Sequence, residues 1–192
     1  MDKKIASNEK LFTIYQIKLS LKDVEPIVWR RFQVPGSYSL NKLHKVIQVL
    51  MDWSEYHIYE FKVDDMAYGI PDDECYYNLK DARRYKLNKV LIEGRNILYT
   101  YDFGDNWESI LEIEKAEMSD LELKHPLCLA GKQAAPPEDT GGPWGYTDLL
   151  KLLGTPLSED ENEKELRAWV GEDFDPGYFD LEETNLILKM IR

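Results

Sequence analysis

Alternation of apolar and polar side chains opens the chain. In LFTIYQIKLSL, residues 11 to 21, Tyr15, Ile17, Leu19 and Leu21 alternate with Gln16, Lys18 and Ser20, the period of a strand with one wet face. A bend at Asp23 to Pro26 leads into IVWRRFQV, Ile27 to Val34, a second short strand closed by Pro35-Gly36, so the two predict a hairpin. The period then changes. Ser39 is a good N-cap, and Leu40, Leu43, Ile47 and Leu50 recur at helical spacing, predicting a helix over 40 to 51. Past Trp53 the period returns to two, with His57, Tyr59, Phe61 and Val63 on one face and Ile58, Glu60 and Lys62 on the other. Asp64 to Lys86 is polar, tyrosine-rich and weakly periodic, a long excursion with one short strand at Met66 to Gly69. Ile97 to Phe103 and Trp107 to Ile113 predict two more strands, Leu121 to Trp144 a long irregular loop. Helices follow at Tyr146 to Leu153, Glu159 to Val170 and Leu181 to Ile191. Strands, a helix, more strands and then helices argue an α+β fold with a mostly antiparallel sheet packed on the helix at 40 to 51.

Composition narrows this picture. At 192 residues the chain fits a single domain, read as a sheet-and-helix core over 1 to 117 and a loop and helical portion over 118 to 192. A hydrophobic share of 43% excludes a disordered chain, and a mean hydropathy of −0.50 argues against a membrane protein. The N-terminal residues lack the apolar core of a secretory signal, no run approaches the length of a membrane span, and the two cysteines, Cys75 and Cys128, are too few for a disulfide framework. A cytosolic protein with reduced thiols is expected.

Charge changes the list of partners. Of the formal −12, a balance of −9 lies between Ser158 and Glu183, where 11 acids meet only Lys164 and Arg167. The rest is nearly neutral, with a modest basic cluster in Lys18, Lys22, Arg30 and Arg31. No stripe of Lys and Arg is able to neutralise a phosphate backbone, so direct nucleic-acid binding is not expected. An acidic surface favours cationic partners, a basic protein segment or a small molecule.

The candidate chemistry sits in TYDFGDNWE, residues 100 to 108. If Asp105 and Asn106 centre a two-residue turn, Asp102 faces Ser109 and shares a face with Thr100, Trp107 and Leu111, while Tyr99, Tyr101, Phe103 and Ile110 take the other. A carboxylate among Trp and Leu must be hydrogen-bonded or titrate upward. Asp102, Asp105, Glu138 and Asp139 form an acid/base or magnesium site if the PPEDTGG loop folds over the hairpin. In the plainer reading, Asp105 is a turn residue and Glu138 or Asp139 satisfies loop amides. His44 and His57 converge on a metal only with Cys128 or an aspartate, and no short ligand spacing supports that; hydrogen-bonded structural histidines are the simpler expectation, with His125 exposed in a loop. The glycines of GGPWGY lack the order and the lysine of a phosphate loop, and are expected to place Trp144 and Tyr146 against the core.

Five ordered blocks, PIVWRRFQVPGSYSLNKLHKVIQ, DWSEYHIYEF, YTYDFGDNWE, PLCLAGKQAAPPEDTGGPWGY and FDPGYFDLEETN, give the chain a resemblance to the plasmid pRiA4b ORF-3-like proteins. The resemblance implies an α/β roll-like fold and a prokaryotic cytosolic protein of a family associated with mobile elements, without an established activity. It also marks departures: Ser109 stands where many relatives carry His, and Ala135 and Thr140 where many carry Cys. A family site built on those residues, with Cys128, is thus expected to be lost here.

The sequence thus predicts a non-catalytic binding or adaptor module. Its site is drawn from Tyr101, Asp102, Asp105, Trp107, Glu138, Asp139, Trp144 and Tyr146, where the hairpin meets the loop. No catalytic residue is assigned and no cofactor or metal is expected; a metal, if bound, falls to His44, His57 and Asp102. The alternative is a metal-assisted hydrolase using the hairpin and loop carboxylates with His44 or His57.

Overall fold

The computed structural model describes residues 11–71, 78–157, 159–171 and 173–191. Cys75, and with it the middle of the 64 to 86 excursion, lies outside the described residues. Within them, β1 (Phe12–Leu21), β2 (Trp29–Pro35), β3 (Tyr59–Val63), β4 (Met66–Gly69), β5 (Lys80–Asp81), β6 (Asn96–Tyr101), β7 (Trp107–Ser119) and β8 (Leu127–Lys132) form one sheet. Its order is β5-β4-β3-β6-β7-β1-β2-β8. All pairings are antiparallel except β4 with β5. With its helices, the chain is α+β, as the sequence predicts.

One face of the sheet is dry. Tyr15, Ile17, Leu19 and Leu21 are buried, as their alternation requires, and Phe32 and Val34 lie beside Ile17 and Tyr15 in register. The helix α1 (Leu40–Leu50) begins where expected, with the Ser39 hydroxyl accepting the Lys42 amide. Its Leu40, Leu43, Val46, Ile47 and Leu50 are buried in the same core, each removal from water being worth about 1.5–3 kcal/mol. His44 lies on this face too. Its Nδ1 is 2.8 Å from the Tyr99 hydroxyl on β6, and its ring stacks on Tyr59 of β3 at 3.7 Å.

Several expectations need correction. The stretch 121 to 144 is not all loop, because β8 pairs with β2 at the sheet edge. Its amide and carbonyl at Cys128 are held by Asn185 of α5 (Leu181–Leu188), a contact distant in sequence that no local pattern announces. The excursion contains β5 and is followed by the single-turn α2 (Leu87–Val90). The basic cluster is no surface patch. Arg30 points into the core, where it donates to the carbonyls of Leu50, Trp29 and Lys132 and stacks 3.8 Å above Phe179. Lys18, Lys22 and Arg31 are paired with Glu112, Glu108 and Glu114.

The C-terminal half adds α3 (Gly142–Leu153), α4 (Glu161–Val170) and α5, with Asp160 and Asp180 as N-caps of the last two. Helix α4 has no buried residue, consistent with an acidic solvated face. Against expectation, the glycines before α3 bury Tyr146 but leave Trp144 outside, 84% exposed.

Candidate functional site

The β6–β7 hairpin does not close on a two-residue turn. Its last pair is Tyr101 with Trp107, followed inward by Thr100 with Glu108 and Tyr99 with Ser109. Positive φ falls on Asp102 (52°) and Asn106 (55°), not on Asp105, and Asp102 Oδ1 accepts the Gly104 amide at 2.9 Å. This Asx turn supplies the local hydrogen bond that decides the loop, while the Asp102 amide donates to Ile58 O on the neighbouring chain segment. The predicted faces change accordingly: Tyr99 and Tyr101 join Trp107, Ser109 and Leu111 in the core. The expected Asp102–Ser109 pair does not form. Ser109 Oγ, like Trp107 Nε1, is buried without a hydrogen-bond partner among the described residues.

The PPEDTGG loop folds onto this hairpin through a series of polar ties. Trp53 stacks on Tyr101 with ring centroids 4.9 Å apart, and its Nε1 donates to Pro136 O at 3.0 Å. Tyr101 Oη donates to Glu138 Oε1 at 2.6 Å, and Glu138 Oε2 accepts the Ser54 amide at 3.0 Å. Burial first, and the Glu138 carboxylate second, hold the Tyr101 phenol well above its ordinary range, so it remains a donor. Asp105 Oδ2 accepts the Gly141 amide at 3.0 Å. The backbones themselves meet: a Cβ on Gly142 would stand 2.3 Å from Asp105 O.

These ties bring three titratable groups together. His57 Nε2 lies 3.6 Å from Asp102 Oδ2 and 3.4 Å from Asp139 Oδ1, and the three ligand-capable atoms fall within 4.8 Å of one another. Asp105 and Glu138, by contrast, are used by backbone amides and Tyr101. His44 is not in this group. It is buried, its Nδ1 is bonded to the Tyr99 hydroxyl, and burial, with Lys45 nearby, lowers its pKa to about 3; its place in the core removes it from the set His44, His57 and Asp102. Cys128 is likewise buried, and burial pushes its thiol up to about 11, the opposite of an activated nucleophile.

Of the eight residues drawn as a binding site, Tyr101, Trp107 and Tyr146 are core rather than surface, although the Tyr101 hydroxyl reaches the loop. Asp102, Asp105, Glu138, Asp139 and Trp144 stand where hairpin and loop meet. His57 is the member that sequence reasoning undervalued. The β3–β6 register, with Tyr59 opposite Tyr101, places it two positions beyond the pair and beside the hairpin tip. A second feature lies on the far side of the same tip. A groove of about 950 Å³ runs between the β1–β2 bend, the hairpin and the start of α3, lined among others by Asp23, Glu25, Ile27, Asp105, Glu108 and Trp144.

Sheet, core helix and loop-over-hairpin junction define an α+β protein with a histidine and two aspartates gathered at one end of its sheet. The chain belongs to the plasmid pRiA4b ORF-3-like protein family, whose model matches residues 13–183. It is 36% identical over 176 residues to the uncharacterized protein y4hQ of Sinorhizobium fredii, covering 90% of this chain and 89% of that one. It is also 40% identical to MM3350 of Methanosarcina mazei Go1, a protein of unknown function. The crystal structure of that protein matches with a TM-score of 0.80, over 91% of this chain and 98% of that chain. No helix among the described residues is long and apolar enough to cross a membrane.

Proposed function

We propose that this protein is a non-catalytic binding module, and that the groove beside the hairpin tip takes a Lys or Arg side chain from a basic protein segment. The observation that carries this reading is the combination of a nearly fully exposed Trp144 with an acidic lining. Among the described residues, Asp23, Glu25, Asp105 and Glu108 face a single cation, Lys22, which is already paired with Glu108. An indole face and carboxylates together recognise a cation with an apolar stem. They also repel phosphate, so nucleic acid does not fit this groove.

The test is a fluorescence titration with an arginine-rich peptide, read as the difference between the parent and Trp144→Ala. Binding that weakens with salt is expected, with affinity about three- to fivefold lower in Trp144→Ala and unfolding unchanged, since the removed side chain is exposed. Equal affinity in both proteins would dismiss the groove.

A second reading, metal-assisted hydrolysis, draws on the convergence of His57, Asp102 and Asp139. Three protein ligands leave coordination positions for water and substrate, and this reading requires a bound cation.

A further inference from the structure

We infer that His57, Asp102 and Asp139 form a binding site for one divalent transition-metal ion of the zinc class. The donor separations fit. Ligands 2.0–2.2 Å from a tetrahedral centre stand about 3.4 Å apart, and His57 Nε2 is 3.4 Å from Asp139 Oδ1 and 3.6 Å from Asp102 Oδ2. These separations are longer than a normal hydrogen bond and place both carboxylates within ion-pairing distance of the imidazole.

The independent observation is Asp102 itself. The residue is only 9% exposed, its Oδ1 is engaged by the Gly104 amide, and its Oδ2 makes no hydrogen bond among the described residues. That oxygen faces the imidazole nitrogen at 3.6 Å and, with it, a second carboxylate, the three donor atoms lying within 4.8 Å of one another; a cation among them would bind all three and offset the repulsion between the two carboxylates.

The surroundings are arranged for such an ion. Asp102 is fixed by its Asx turn and by the hydrogen bond its backbone amide donates to Ile58 O. His57 lies two residues before the start of β3, its amide donating to Tyr101 Oη. Asp139 arrives on the loop that Glu138 pins to Tyr101 and Ser54. Its side chain is 75% exposed, which lets it close the remaining gap and leaves the outer face of the ion to water. One neutral imidazole and two carboxylates balance a charge of +2. The imidazole favours zinc-class ions over magnesium or calcium, which take all-oxygen shells. Binding exchanges water on the ion for the three side-chain ligands, and any proton on His57 Nε2 leaves to solvent. The inference supplies the ion that the hydrolase reading requires, but it is tested by binding alone, so a lack of turnover would remove that reading without touching this one. It is independent of the Trp144 groove.

The experiment is calorimetric titration of the full chain with Zn²⁺ near neutral pH, repeated with Co²⁺ to follow its visible absorption. One ion per chain is expected, with a nitrogen and oxygen ligand spectrum free of thiolate charge transfer. His57→Ala, Asp102→Asn and Asp139→Ala should each weaken binding at least tenfold, while Cys75→Ser should not. Asp139→Ala removes an exposed side chain and keeps the fold. Asp102→Asn retains an oxygen for the Gly104 amide. The inference is overturned if no stoichiometric binding occurs, or if Asp139→Ala and His57→Ala bind zinc like the parent.

Discussion

Gly142→Ala should lower stability by about 3 kcal/mol, or roughly 6–12 °C in Tm for a chain of this size. Two costs add at this position. The backbone has φ +70°, in the left-handed region, where a Cβ costs about 1–2 kcal/mol. The new Cβ would also stand 2.3 Å from Asp105 O, so the loop must lift from the hairpin tip or the tip must move. Lifting the loop endangers the Trp53–Pro136 and Tyr101–Glu138 bonds and displaces Asp139 from His57. Two other glycines separate the costs. Gly94 has φ +76° with open space around it, so Gly94→Ala measures the backbone penalty alone. Gly154, at φ −77°, meets only ordinary contacts of 3.4 and 3.5 Å, so Gly154→Ala should be nearly neutral. Urea unfolding of the three variants gives the comparison. A Gly142→Ala protein no less stable than Gly94→Ala would mean that the loop does not bear on the hairpin as described.

The same junction shows what is legible in a sequence of this kind. Periodicity reports burial along one element, and it located β1, β2, α1, β3 and the strands of the hairpin because each has one dry face. It says nothing of which distant element lies alongside. The edge strand β8 and the parallel β4–β5 pair depend on such neighbours, as does the placement of His57 beside Asp102. The hairpin register failed for a local reason: either Asp102 or Asp105 can stand in a tight turn, and only the Asp102 side-chain bond to Gly104 selects the wider loop. Trp144 failed for another. The glycine-rich entry to α3 does bring an aromatic residue to the core, but the helical turn that buries Tyr146 carries Trp144 to the opposite side. The convergence of loop and hairpin is written in paired side chains such as Tyr101 and Glu138, far apart in the chain and unremarkable separately.

Acidification below about pH 6.5 should destabilise this protein, and His44 should be a principal cause. Its hydrogen bonds fix a neutral form. Gln48 Oε1 accepts the Glu55 amide, so Gln48 Nε2 is the group facing Tyr99, and it donates to the Tyr99 oxygen. The Tyr99 hydroxyl proton is then left for His44 Nδ1, 2.8 Å away, which must accept it. A proton on Nδ1 would set two donors against each other in a buried site. Burial, the larger cause, and Lys45 accordingly lower the His44 pKa to about 3, against about 6.5 in an unfolded chain. Between these values the unfolded state binds a proton that the native state refuses, so stability rises with pH across the window. The His44 contribution is fully present above about pH 6.5 and is lost as pH falls toward the folded value, at about 1.4 kcal/mol per unit. Urea unfolding at pH 7.5 and pH 4.5 should show the parent losing about 2–3 kcal/mol more than His44→Gln. The glutamine does not titrate there, and its amide oxygen is able to accept from Tyr99. His57, His125 and the carboxylates are common to both proteins, so their contributions cancel in the comparison. Loss of the stack on Tyr59 lowers the variant at both pH values without altering its slope. Parallel pH dependences in the two proteins would refute the assignment of a buried neutral His44.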